Sequence, residues 1–369
     1  MRQVEPSPTA VRDRGSLATS DRPVPMLLDA NQPPRFYRGG AEIARLRGRT
    51  VPGDGAATWT PEDWVASTTT LFGEPEAGLS RLPNGRLLRD AVHADPTGWL
   101  GPEHTAEFGA DPALLVKLLD AGQRLPVHCH PSNEFARTHL GCRYGKTEAW
   151  VVIGTRGPDP TVRLGFRQDV SADQLRSWVA AQDRTAMLAA LNTVHVRPGD
   201  TVLVPAGMPH AIGEGVFLVE LQQPTDLTVL LEREGFSGPE GWHLGLGADT
   251  ALTCVDRSGW DYPRLSGLLR STSQYHRPFV NLLPETAAPF FRADRLHPEP
   301  EVELEPSFAV LVGLEGTGAL RTEHGDELPV QRGSTVVVPH GAGVCRLIGD
   351  VVAVRCRPPA VHPDRKDGR

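Results

Sequence analysis

Val194-His195-Val196-Arg197-Pro198-Gly199-Asp200-Thr201-Val202-Leu203-Val204-Pro205-Ala206-Gly207 reads as two short strands around a tight turn. Aliphatic and β-branched residues crowd both halves, Pro198-Gly199-Asp200 breaks them, and Pro205-Ala206-Gly207 closes the second. Another apolar run follows at Val216-Phe217-Leu218-Val219-Glu220-Leu221. Short strands at this spacing predict an antiparallel sandwich or small barrel, whose mouth is a natural ligand site.

Upstream lies Val127-His128-Cys129-His130-Pro131. On a strand, residues two apart share a face about 7 Å apart, so His128 and His130 point the same way. Alone, one His-x-His among 13 histidines reads more simply as a polar pair on a sheet face. Its conjunction with Glu148, at the head of the apolar run Ala149-Trp150-Val151-Val152-Ile153, and with His210, after the Pro205-Ala206-Gly207 turn, reads as a metal site. Cys129 is expected to face away from the ligands as a small core residue. Trp150 is expected in the core, on the face opposite Glu148.

Longer stretches carry a family resemblance. Leu115 to Ala121, Leu125 to Ala136, Gly145-Lys146-Thr147-Glu148-Ala149-Trp150, Pro205 to Gly213 and Glu220-Leu221-Gln222-Gln223-Pro224-Thr225-Asp226 together resemble the type I mannose-6-phosphate isomerases, members of the cupin superfamily. Fainter echoes at Trp64 to Ser67, Gly78 to Ser80 and Asn84-Gly85 extend the resemblance over roughly residues 35–235. It implies a mostly β bicupin fold, two jelly-roll barrels with a small helical insert. It also implies a divalent metal held by His128, His130, Glu148 and His210, with zinc foremost and iron, manganese or nickel as alternatives. The implied reaction interconverts mannose 6-phosphate and fructose 6-phosphate through a cis-enediolate, in which a metal stabilises charge and a base moves a proton.

The chain departs from that family twice: His128 stands where Gln is usual, and Leu230 stands where an Arg is common. Imidazole is a sound metal donor, so metal binding should survive the first change. Arg233, three residues beyond Leu230, is the expected substitute cation for the second. Lys146 stands out because the chain has 35 Arg and only three Lys, Lys117, Lys146 and Lys366. It is expected to contact phosphate or, with a pKa lowered by burial, to move the proton. Glu220 or a hydroxide on the metal are the other candidates for the base, and the sequence leaves that choice open. A short helix over 132–139 should cover the barrel mouth with Glu134 and His139 at the surface, and by resemblance Asn133 and Ser67 could contact sugar hydroxyls.

The 369 residues suffice for two core-bearing units. The expected boundaries are a disordered stretch 1–25, a catalytic metal-binding cupin 26–270 with a helical insert around 171–192, a degenerate second cupin 275–360, and a loose tail 361–369. Gly333-Ser334-Thr335-Val336-Val337-Val338-Pro339 echoes 199–205, yet the second half has no His-x-His, so its role reads as structural. A net charge of −7 with no basic stripe argues against a nucleic-acid partner. No apolar run reaches the length of a membrane span, and no signal-like segment opens the chain. Five cysteines without a Cys-x-x-Cys unit suit a reducing cytoplasm. The partner is a small sugar phosphate, and the protein a monomer or small homo-oligomer. Two other classes fit the same pattern: a cupin isomerase for another, unphosphorylated sugar or a metal-dependent oxygenase, and a non-catalytic sugar-binding bicupin.

Overall fold

The computed structural model describes residues 22–51, 58–236, 241–271 and 277–361. Most of the expected N-terminal disorder and of the C-terminal tail lies outside them. The chain is mostly β with a small helical content, as the pattern predicts. In the first half, a five-stranded sheet runs Val229–Leu230, His128–Cys129, His210–Ile212, Thr161–Phe166, Leu191–His195. Facing it, a six-stranded sheet runs Leu269–Ser271, Asp200–Val204, Glu148–Thr155, Val216–Gln222, Leu115–Asp120, Glu62–Val65. The Pro-Gly-Asp turn forms where the sequence puts it, with Gly199 in the left-handed region at φ 92°.

The register of the five-stranded sheet sets the site. His128 lies opposite His210 on one side and opposite Leu230 on the other. Alternation then sends Val127 and Cys129 to the outer face, where they join Phe166, Leu175, Val179 and Met187 in a core cluster beneath the helices Ala172–Ala181 and Arg184–Ala190. Ser171 and Asp183 cap these helices through side-chain acceptors for Gln174 N and Ala186 N. The helix at the mouth spans Asn133–Leu140, with Ser132 accepting from Phe135 N at 3.1 Å. Six further short helices among the described residues, Ala41–Leu46, Leu88–Ala94, Pro96–Leu100, Pro102–Phe108, Ala248–Leu252 and Tyr262–Ser266, were not anticipated from the sequence. Each is under two turns, too short for apolar periodicity to stand out.

The strand Val216–Gln222 is buried along its whole length instead of alternating. One apolar cluster explains this, because it joins Val202, Val219 and Leu221 to Val310, Val312 and Val354 of the C-terminal half. That half forms an eight-stranded antiparallel sheet around the long strands Ala309–Thr322 and Cys345–Arg357. Its edge is Met26–Leu27, paired with Val336 and Val337, so the N-terminal segment is tied to the far end of the chain. Thr335–Val338 follows Gly333 at φ 85°, repeating the local geometry of Gly199 and Asp200–Val204.

Gly145 links the mouth helix to the strand bearing Glu148. A Cβ there would sit 2.2 Å from Pro131 O and 2.5 Å from Ser132 C. Gly145→Ala is therefore expected to cost about 1–3 kcal/mol, seen as a lower midpoint in denaturant unfolding. A midpoint equal to that of the unaltered protein would show that this junction yields freely.

Candidate metal centre

Three imidazoles converge inside the barrel mouth. His128, His130 and His210 are all buried, with donor atoms within 4.8 Å of one another. Each ring is oriented from behind by a backbone carbonyl: Nδ1 of His128 meets Pro126 O at 2.8 Å, that of His130 meets Leu227 O at 2.9 Å, and that of His210 meets Met208 O at 2.8 Å. These carbonyls accept only if Nδ1 carries the hydrogen, which leaves the Nε2 lone pairs directed at the shared point. Glu148 completes the set, 3.1 Å from His130 Nε2 and 3.2 Å from His210 Nε2. His210 Nε2 is buried without a hydrogen-bond partner, the condition in which a lone pair is held for a metal. Three nitrogens and one carboxylate fit a divalent ion of the zinc class.

The electrostatics agree. Burial pushes the His128 imidazole well below its ordinary range, with His210 and His130 adding to the effect. The His130 imidazole falls to about 4 through burial and the neighbouring Lys146 ammonium. Both are neutral at pH 7, the form a metal requires. Burial works against the Glu148 carboxylate, yet Lys146 and His130 hold its pKa well below the usual range.

Lys146 joins this centre. Its Nζ is 2.6 Å from Glu148 Oε2, 2.9 Å from His130 Nε2 and 3.8 Å from Glu220 Oε1. The expectation of a lowered pKa is corrected here: burial disfavours the ammonium, but Glu148 and Glu220 raise its pKa above the ordinary lysine value. Glu220 moves opposite to Glu148. Burial raises its carboxyl to about 7, Glu148 and Glu62 add to that, and Lys146 and Lys117 partly offset it.

The cavity holding these groups measures about 40 Å³, room for an ion and a few waters. Lys117, Glu62, Arg35 and Asp226 line it as well. None of the four was singled out from the sequence as a site residue. The scarcity that marked Lys146 applies equally to Lys117, which lies 2 % exposed between Glu62 at 3.3 Å and Glu220 at 3.6 Å. A larger surface cleft of about 740 Å³ touches none of the four donors, and its Arg156 and Asp120 are paired with each other at 3.0 Å.

Two sequence expectations fail on geometry. Arg233 does not line the cavity: its guanidinium lies 4.3 Å over the Trp242 ring and its backbone N is held by Gln182 Oε1. Residues past the strand Val229–Leu230 turn outward toward the helical insert, so a cation three positions on cannot replace one at 230. Trp150 is in the core but shares the face of Glu148, since the two are two positions apart on one strand. Its Nε1 donates to Glu148 Oε1 at 3.1 Å and its ring is 5.6 Å from that of His210. Cys129 does face away, with its sulfur 3.5 Å from that of Cys254. Asn133 is occupied structurally, accepting from Gly145 N and Gln223 Nε2, and Ser67 is bonded to Thr69.

Comparison with known proteins places this centre in context. No family model matches the chain. A curated mannose-6-phosphate isomerase of Streptococcus mutans is 36 % identical over 211 residues, 55 % of this chain and 59 % of that enzyme, so the match spans about three-fifths of the relative's length. A Bacillus subtilis mannose-6-phosphate isomerase is 27 % identical over 241 residues, 64 % of this chain and 72 % of that enzyme. Among solved structures, the B. subtilis mannose 6-phosphate isomerase superposes at a TM-score of 0.71 and 20 % identity, covering 91 % of this chain and all of that one. A mannose 6-phosphate isomerase bound with zinc and yttrium gives 0.69 at 15 % identity over 92 % of this chain. The fold of this chain is theirs.

His210→Ala should weaken zinc binding by more than the roughly 10–100-fold typical of losing an outer-shell partner, measured as metal per chain after dialysis against buffered zinc. Undiminished occupancy would remove His210 from the ligand set.

Proposed function

We propose that this chain, a relative of the type I mannose-6-phosphate isomerases in sequence and fold, is a zinc-dependent aldose–ketose isomerase that interconverts mannose 6-phosphate and fructose 6-phosphate. The observation that carries the reading is a single cavity lined by His128, His130 and Glu148, with the His210 donor within 4.8 Å of the other two imidazoles, and by a Glu220 carboxylate poised near neutrality. Bound at His128, His130, Glu148 and His210, the ion would supply Lewis-acid polarisation of the substrate's carbonyl and hydroxyl oxygens.

The remaining chemistry belongs to the chain. Glu220 takes the proton from the carbon beside the carbonyl and returns it to the neighbouring carbon, so the enediolate forms and collapses without net loss of a proton. Its Oε2 is buried without a hydrogen-bond partner, and its pKa near 7 suits a group that must both accept and release. Lys146 and Lys117 flank it as fixed ammonium groups, which lower the cost of negative charge developing on the sugar oxygens. The walls exclude bulk water and strengthen both effects. We assign the protein to the cytoplasm, because all five cysteines are free and no helix among the described residues is long and apolar enough to cross a membrane.

Metal-stripped protein should be inactive and regain turnover of mannose 6-phosphate with zinc, while free mannose is turned over poorly. Absence of turnover with zinc, iron, manganese, cobalt and nickel alike would overturn the reading. Glu220 is unprotonated above its pKa, so kcat/KM should rise with pH along a limb centred no higher than about 7, since a bound cation can only lower that value. Glu220→Gln should abolish the limb and cost at least about 100-fold in kcat with full metal content. An unchanged limb in that variant would move the base elsewhere.

A further inference from the structure

We propose that Arg35 is the residue that recognises the substrate's anionic group, through a guanidinium fork held at the cavity mouth by Asp226 and Glu62. This rests on the isomerase reading above and extends it to the recognition of a phosphomonoester.

Space comes first. About 40 Å³ around the ligands cannot enclose a hexose phosphate, so only the reacting carbons approach the centre and the distal end of the sugar lies at the mouth. Three cations line the cavity among the described residues: Lys117, Lys146 and Arg35. The two lysines are spent. Lys117 sits between Glu62 and Glu220 with the Trp64 ring 4.6 Å away, and Lys146 sits among Glu148, His130 and Glu220. Their side chains are 2 % and 5 % exposed, against 12 % for that of Arg35. Arg35 is therefore the outermost of the three.

Arg35 also has donors left. Of its five N–H groups, Nη1 and Nη2 each give one to Asp226, both at 3.2 Å. Nε lies 3.2 Å from Glu62 Oε1 without the alignment of a hydrogen bond and is buried with no other partner. Asp226 also accepts from Phe72 N at 3.4 Å and so acts as a positioning residue for the fork. Across the cavity, Leu230 opposite His128 offers no charge. The balance points the same way. With a divalent ion bound, Lys117, Lys146 and Arg35 outweigh Glu62, Glu148, Glu220 and Asp226 by one positive charge with Glu220 ionised and by two with it protonated, so the cavity favours an anionic substrate. A planar fork suits two phosphate oxygens at once, which an ammonium cannot match.

The test is calorimetric binding of mannose 6-phosphate, mannose and inorganic phosphate to the zinc-loaded protein, alongside KM and kcat. Arg35→Lys keeps a charge between Asp226 and Glu62 and so guards against misfolding. It should weaken mannose 6-phosphate binding about 10–100-fold, raise KM more than it lowers kcat, and leave mannose affinity and zinc content unchanged. Arg35→Gln should lose more, and Leu230→Arg added to it should recover part of the loss by returning a cation to the same cavity. If Arg35→Lys and Arg35→Gln both bind mannose 6-phosphate within about threefold of the unaltered protein, or if that protein binds the phosphate ester no better than mannose, the proposal fails. Turnover with an unchanged KM in Arg35→Lys would refute it while the isomerase reading stands. Arg35-dependent binding without any turnover would refute the isomerase reading alone.

Discussion

Everything at the barrel mouth depends on aiming three buried imidazoles at one point. Burial keeps His128 and His130 neutral but does not aim them. The carbonyls of Pro126, Leu227 and Met208 fix the Nδ1 hydrogens, and the strand register sets His128 against His210. Even the segment ahead of His128 is anchored, since the buried Glu232 accepts from Val127 N at 2.9 Å while pairing with Arg124. A metal site built in this way is largely preorganised, so little ordering free energy opposes binding.

Around that point the barrel carries an open circuit of alternating charge. Glu148, Lys146, Glu220, Lys117, Glu62 and Arg35 follow one another at 2.6 to 3.8 Å. Such a circuit is a poor source of stability, because each buried charge forfeits its hydration, and removing one member leaves its neighbour unpaired at about 3–5 kcal/mol. Its value lies in the contrast it sustains. Glu148 and Glu220 differ in pKa because Glu148 touches Lys146 and two imidazoles, whereas Glu220 meets its lysines only at 3.6 and 3.8 Å. One carboxylate is held ionised and the other sits where it can exchange a proton. Lys146 meanwhile holds two of the acceptors that a metal would take, so metal loading and the position of its ammonium are linked.

How much of this was legible in the sequence follows from the range over which each signal acts. Period-two alternation and turn chemistry act within a strand pair, and they led directly to the barrel, to His128 with His130, and to the outward-facing Cys129. The Gly-Lys-Thr-Glu and Pro-Ala-Gly-x-x-His stretches brought Glu148 and His210 into the same set. Arg35 and Glu62 escaped because they come from segments whose approach to the mouth is a matter of tertiary packing. Lys117 was legible by the scarcity of lysine and was passed over. Arg233 is near Leu230 only in sequence, because the chain turns away after it, and Trp150, two positions from Glu148 on one strand, shares its face.

The account stands or falls on the donor set, which X-ray absorption at the zinc edge of the reconstituted protein reads directly. It predicts a first shell of nitrogen and oxygen at about 2.0–2.2 Å with the outer-shell scattering of three imidazoles. A sulfur shell near 2.3 Å, or scattering from fewer than three imidazoles, would contradict it.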